Sequence, residues 1–215
     1  MLVQNDSWED MSSYLVHFTR GGESNNDYIS MMGILSSGTL KADKGFGIGR
    51  KRAPSSCPQK AVCLSEIPPG HWHRLEQRRA TKYGIGFKKE FILSRGGAPI
   101  WYAWRDTAHY KALHEMMLRA ADDASDPIWQ LTPMIDAPGL YRNTPYIFDW
   151  EREWRHIGSL RFKPSDVAFL LIPEDLHEAA SGFFQTALDD HLGPAYFCPY
   201  LDPAWDRDKI ASALS

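Results

Sequence analysis

The chain is poor in cysteine. Its 215 residues include Cys57, Cys63 and Cys198, an odd number and widely spaced. No CxxC pair occurs, so neither a disulfide framework nor a structural zinc site is expected, and free thiols fit a reducing cytoplasm. Long apolar runs are also missing. No stretch approaches the roughly 20 residues that cross a bilayer. The N-terminus has no basic segment followed by an apolar run, so no signal peptide is read. A cytoplasmic chain without membrane attachment is expected. Nor is there charge of one sign. Lys and Arg number 24 against 27 Asp and Glu, a net charge of −3, which implies no broad basic field of the kind a general nucleic-acid binder carries.

Several catalytic signatures are absent as well. There is no GxSxG, so a serine hydrolase is not supported. The glycines of "GFGIG" (45–49) lack the strand-to-helix context of a dinucleotide or phosphate loop. "HWH" (71–73) has the look of a metal pair, but histidines two apart on a helix do not share a face. His109 and His114, five apart, are also poorly placed. No metal is expected.

What the chain does have is aromatic side chains: eight Trp, nine Tyr and ten Phe. They serve a core first and stacking sites second. An apolar fraction of 43% with 24% charged residues is ordinary for a globular protein. The length suits one domain, and no repeat or linker divides it. The expectation is a single α+β domain over 1–215. Its core, 14–173, is a split mixed or antiparallel β-sheet with peripheral helices, and 174–215 adds a helix and an edge strand.

Periodicity and punctuation place the elements. Helices are predicted at 7–13, 25–38, 70–82, 88–97, 105–123 and 174–191, with a further helical turn or two at 126–136 broken by Pro133. In the helix at 25–38, Asn25 or Asn26 is the cap, Gly38 the glycine stop, and Tyr28, Met31, Met32, Ile34 and Leu35 the apolar stripe. Ala108, Ala112, Leu113, Met116, Met117 and Ala120 form the stripe of the helix at 105–123. Strands are predicted at 14–19, 61–68, 83–87, 98–104, 146–157, 166–173 and 194–201. Residues 41–60, rich in Gly, Pro, Lys and Arg, read as a long mobile loop over a site.

The most unusual stretch is "FDWEREWRH" (148–156). As a strand it alternates faces. Phe148, Trp150, Arg152, Trp154 and His156 point one way; Asp149, Glu151, Glu153 and Arg155 point the other. Glu151 and Glu153 would lie about 7 Å apart on one strand. In a cleft their repulsion would raise one pKa and permit acid–base work. Arg155 is placed to pair with either of them.

The order "YLVHFTRG", "GILSSGTLKA", "AVCLSEIP", "YGIGFKKEFILSRGGAPIWY", "FDWEREWR" resembles the AbiGi-type family linked to abortive phage resistance, over roughly residues 14 to 173. That family carries an antitoxin label. A strand-borne "HFT" followed by a helix of the form xxILxxGxL is similar, more distantly, to DarT-type ADP-ribosyltransferases. This second resemblance implies an ADP-ribosyltransferase-like α+β fold clamping NAD as substrate. It implies His17, with Phe18 and Thr19, at the adenosine ribose, and Ser65, Tyr83 or Tyr102 in the middle position. It puts Glu153 at the ribose 2′-hydroxyl beneath the charge that builds as nicotinamide leaves, and Glu151 at the attacking nucleophile. Arg50, Lys51 or Arg52 would meet the pyrophosphate. Two functions are therefore expected in competition. One is an ADP-ribosyltransferase-like protein of phage defence, acting on a protein or nucleic-acid acceptor or hydrolysing NAD. The other is a non-catalytic antitoxin that neutralises a toxin partner.

Overall fold

Glycine fixes two of the closest approaches in the backbone, and both lie where strands and loops meet packed side chains. The protein was analysed as a computed structural model that describes residues 11–19, 26–66, 68, 71–72 and 80–214. In chain order the described strands are β1 (Tyr14–Phe18), β2 (Thr39–Leu40), β3 (Ala61–Ser65), β4 (Gly84–Lys88), β5 (Ala98–Pro99), β6 (Trp101–Tyr102), β7 (Ile135–Asp136), β8 (Gly139–Tyr141), β9 (Thr144–Tyr146), β10 (Glu153–Ile157), β11 (Leu160–Arg161), β12 (Val167–Leu171) and β13 (Tyr200–Leu201). The described α-helices are α1 (Asp27–Ser37), α2 (Lys89–Ser94), α3 (Ala108–Ala120), α4 (Ile128–Leu131), α5 (His177–Asp189) and α6 (Arg207–Leu214). The mixture of helix and strand, with a sheet of mixed direction, is as expected. The chain forms two compact units: Met1–Thr39, Leu64–Ile92 and Arg161–Ser215 in the first, Leu40–Cys63 and Leu93–Leu160 in the second.

In the first unit the strand order is β13-β12-β4-β1, followed by the C-terminal end of β3. β1 pairs antiparallel with β4 along its whole length, β12 pairs antiparallel with β4, and β13 is parallel to β12. β4 is therefore central, and Ile85 and Phe87 are fully buried. Gly86 is required there: a Cβ at this position would lie 2.4 Å from the Phe169 ring. β12 is the continuous apolar run the sequence announced, with Phe169, Leu170 and Leu171 at 0% exposure. α1 begins at the Asn26 cap, whose side chain accepts from the Ile29 N–H, and ends at Gly38 in the left-handed region. It buries Met31 and Leu35. Residues 174–215 contribute Phe184, Tyr196, Leu201 and Ile210 to the buried set, and the Tyr196 hydroxyl donates to the Leu35 carbonyl at 2.7 Å.

In the second unit α3 and α4 bury Leu113, Met117, Ala120, Ile128 and Trp129 with Ala103 and Ile135. The stripe of α3 is narrower than the pattern predicted. Leu113, Met117 and Ala120 are buried, whereas Ala108, Ala112 and Met116 lie along an exposed neighbouring row. The strand predicted over 98–104 divides at Ile100 into β5 and β6, where the chain changes partner: β5 pairs with β10 and β6 with β7. The stretch 41–60 is irregular, as expected, but it is anchored rather than mobile. The Phe46 N–H donates to the Gln59 carbonyl and the Ile48 N–H to the Ile135 carbonyl, at 2.8 and 2.9 Å. Gly47, at φ +80°, passes so close to Thr132 that a Cβ would fall 1.9 Å from its carbonyl oxygen. Of the helices predicted at 7–13 and 70–82, most residues lie outside those described.

Two glycine substitutions should move stability in opposite directions. Gly86→Ala forces the Phe169 ring aside and should lower the unfolding free energy by about 1–3 kcal/mol. Gly182→Ala, within α5 and with open space at its Cβ, should raise it by about 0.5–1 kcal/mol. Urea unfolding curves of the two variants check both signs.

Candidate functional site

The stretch 148–156 does not run as one strand. Asp149–Glu151 forms a 3-10 turn, with the Glu151 N–H donating to the Phe148 carbonyl and the Arg152 N–H to the Asp149 carbonyl, each at 3.1 Å. Arg152 then takes φ +46°, and β10 starts only at Glu153. The reason is local. An aspartate opening a turn competes well with extended backbone, and alternation alone cannot see it. Glu151 and Glu153 are thus not two positions of one strand, and the predicted carboxylate pair with its 7 Å spacing is not formed in that way. Glu151 is buried within the turn.

From Glu153 onward the alternation does hold, and it sets Glu153 and Arg155 on one face. Arg155 is 1% exposed. Its Nε donates to Glu153 at 2.8 Å, one terminal nitrogen to Asp136 at 2.6 Å, and the other to the Pro133 carbonyl at 2.7 Å. The Phe46 ring lies 5.0 Å from the guanidinium carbon. Every edge of the fork is satisfied, and the planar cation stacks on an aromatic face. Burial works against this charge, but Glu153, and after it Cys63 and Asp136, outweigh burial and raise the guanidinium pKa. The Cys63 thiol shares the site. Burial first, then the Glu153 carboxylate, push its pKa far above the ordinary thiol range, against a weaker opposing pull from Arg155. The Tyr102 hydroxyl accepts from the Glu153 N–H at 2.8 Å. Burial raises its pKa, with the charges of Glu153 and Glu151 adding to the effect.

The sequence pointed to Glu153, Glu151 and Tyr102; the second unit sets Glu153 against Arg155 and Tyr102 on the Glu153 backbone, with Glu151 in the turn before them. It also brings in Asp136, Cys63 and Phe46, which sequence reasoning missed. Asp136 lies 19 positions from Arg155, and no local pattern links them. Arg50 and Arg52 belong to the same unit but are exposed, in turns of the anchored loop. The remaining candidates lie in the first unit. His17 is half-buried on β1 opposite Ile85. Phe18 is in the core. Thr19 is a buried tie whose hydroxyl donates to the Asp27 and Tyr83 carbonyls at 3.1 and 3.2 Å. Ser65 is buried opposite Val16. Tyr83 lines a cavity of about 470 Å³ between α1 and α5. Among the described residues no group of three or more His, Cys, Asp or Glu could hold a metal, and no helix is long and apolar enough to cross a membrane.

A family model described as "Putative abortive phage resistance protein AbiGi, antitoxin" matches residues 41–179, more than half of the chain. The chain belongs to the AbiGi family. The match takes in the whole Arg155 cluster, while "YLVHFTRG", with His17, lies before it. No curated protein and no solved structure matches the AbiGi chain, so no structure neighbour supports the ADP-ribosyltransferase-like fold that the "HFT" strand and the helix after it suggested.

Two outcomes are expected at this cluster. Arg155→Met leaves the partly buried Glu153 and Asp136 without their cation and should cost about 3 kcal/mol of stability, the lower end of the range for a buried pair. Arg155→Lys should not restore it, since an ammonium cannot reproduce the fork. Chemical denaturation measures both. A raised Cys63 pKa also means that the folded state keeps a proton the unfolded chain loses. The contribution is present below the unfolded pKa of roughly 8.5 and declines as pH rises above it. Cys63→Ala should flatten that alkaline loss in unfolding curves taken between about pH 8 and 10.

Proposed function

We propose that this AbiGi-family protein neutralises a partner toxin in an abortive-infection system, acting by binding and not by chemistry on a substrate. The observation that carries this reading is the hairpin β8–β9. Its turn residues Arg142 and Asn143 sit at φ +48° and +65°, the combination of a two-residue type I′ turn. Leu140, Tyr141, Tyr146 and Ile147 on this arm are 60, 53, 56 and 48% exposed. Four large apolar side chains within eight residues at the surface suit a protein partner better than solvent.

Arg105 holds the arm at both ends of β8. The Arg105 guanidinium lies over the rings of Tyr110 and Tyr141, 5.6 and 5.5 Å from their centroids, and the Arg105 N–H donates to the Pro138 carbonyl at 2.9 Å. Rigid Tyr and Arg side chains are the usual anchors of a tight interface. The Glu153 geometry supports the same conclusion. A carboxylate held by a fully engaged arginine in the core of a unit serves packing more readily than it serves a substrate.

The family's antitoxin label agrees with a toxin as the partner. The test is co-expression. Each neighbouring reading frame is expressed alone and with this protein. One of them should arrest growth alone, grow normally with the protein, and co-elute with it. The double variant Leu140→Ser/Tyr146→Ser, with an unchanged melting temperature, should lose protection and co-elution. Protection that survives in this variant would remove the hairpin from the mechanism. Nicotinamide release from NAD that collapses in both Glu153→Gln and His17→Ala would overturn the proposal in favour of the transferase.

A further inference from the structure

The first unit contains a cavity of about 470 Å³ between α1 and α5, of a size that holds a small molecule. Its walls are aromatic and sulfur-bearing. Tyr28 and Tyr83 meet at 5.7 Å between ring centroids and 61° between planes, and Phe183 and Phe184 at 5.4 Å and 75°. Met31, Met32, Ile172 and Leu176 add to the apolar lining, and among the described residues no Lys or Arg contributes to it. Four aromatic rings thus border one cavity, and the electron-rich face of an aromatic ring attracts a cation.

Among the described residues two carboxylates stand at the rim: Asp27 begins α1 and Asp175 precedes α5. Neither Asp27 nor Asp175 has a cationic partner among the described residues. The fields of Asp27 and Asp175 both reach the Tyr83 hydroxyl and, after burial, raise its pKa. The two helix N-termini that face the cavity oppose this with about +0.5 charge each. The two full charges of Asp27 and Asp175 outweigh them. A nucleotide's phosphates would be repelled here, and a neutral apolar molecule would leave the acidic rim unused.

We infer that the cavity between α1 and α5 is a binding site for a compact organic cation with an apolar body, of the quaternary ammonium class, caged by Tyr28, Tyr83 and Phe183 and drawn in by Asp27 and Asp175. The site belongs to the first unit and the hairpin to the second, and it does not depend on the toxin-neutralising role, so either can fail alone.

The test uses the full chain and a matched pair of probes: choline, and 3,3-dimethylbutan-1-ol, which replaces the nitrogen by carbon at the same shape. Binding is read by ligand-observed NMR, with adenosine monophosphate as the third probe. Choline should bind at least about tenfold more tightly than the neutral isostere, and its affinity should fall as salt is raised. Asp175→Asn and Phe183→Leu change exposed side chains, so the fold should survive, and each should weaken choline binding severalfold. Equal affinity for choline and its isostere would overturn the proposal. So would tighter binding of adenosine monophosphate, or no choline binding up to about 10 mM.

Discussion

A single buried cation organises the second unit. Arg155 enters from a strand, yet its partners come from that strand, from β7 and from the 3-10 turn before β7, while Phe46 reaches it from the anchored loop. An isolated charge at 1% exposure would be untenable. It persists because two carboxylates, a carbonyl and an aromatic face converge on it. Such a cluster tolerates little rearrangement, since moving one partner leaves the others buried without compensation. The path of the 41–60 loop follows from this. Its glycines press against Thr132, one residue before the carbonyl that Arg155 holds, so the loop and the cation are fixed by the same short segment.

The two units divide the sequence's chemistry between them. The second holds the ion-pair cluster and the projecting hairpin. The first holds a largely apolar sheet and an aromatic cavity under an acidic rim. His17 and Glu153, joined by the transferase resemblance, belong to different units. Each has an adequate local role: His17 within the β1–β4 ladder, Glu153 beside Arg155.

Much of the fold was legible where one rule decided the outcome. An Asn cap at 25 or 26 and the Gly38 stop marked α1, and the apolar run at 166–173 was typical of a buried strand, which β12 is over Val167–Leu171. The pairing of Glu153 with Arg155 was also readable, because alternation places them on one face. What was hidden depended on distant residues. Asp136 and Phe46 carry no mark of the arginine they meet. The exposed hairpin was left unassigned up to residue 145, because "RN" at positions 142–143 is a weaker turn signal than Asn-Gly. The extended reading of 148–156 failed for a comparable reason. Aromatic and charged residues in alternation describe a strand and a short turn equally well until the backbone's hydrogen bonds are known.

The segments of the two units also set an order of assembly during synthesis. The second unit draws on nothing after Leu160, so all its residues have left the ribosome while the first unit still lacks Arg161–Ser215. Until Val167–Leu171 arrives, β4 has only β1 beside it, and the bare backbone at Gly86 has no aromatic ring to cover it. A chain paused at that stage would present an open strand edge to its neighbours. Delayed closure of that edge, more than any weakness in the finished fold, is where chaperone dependence of this protein would arise.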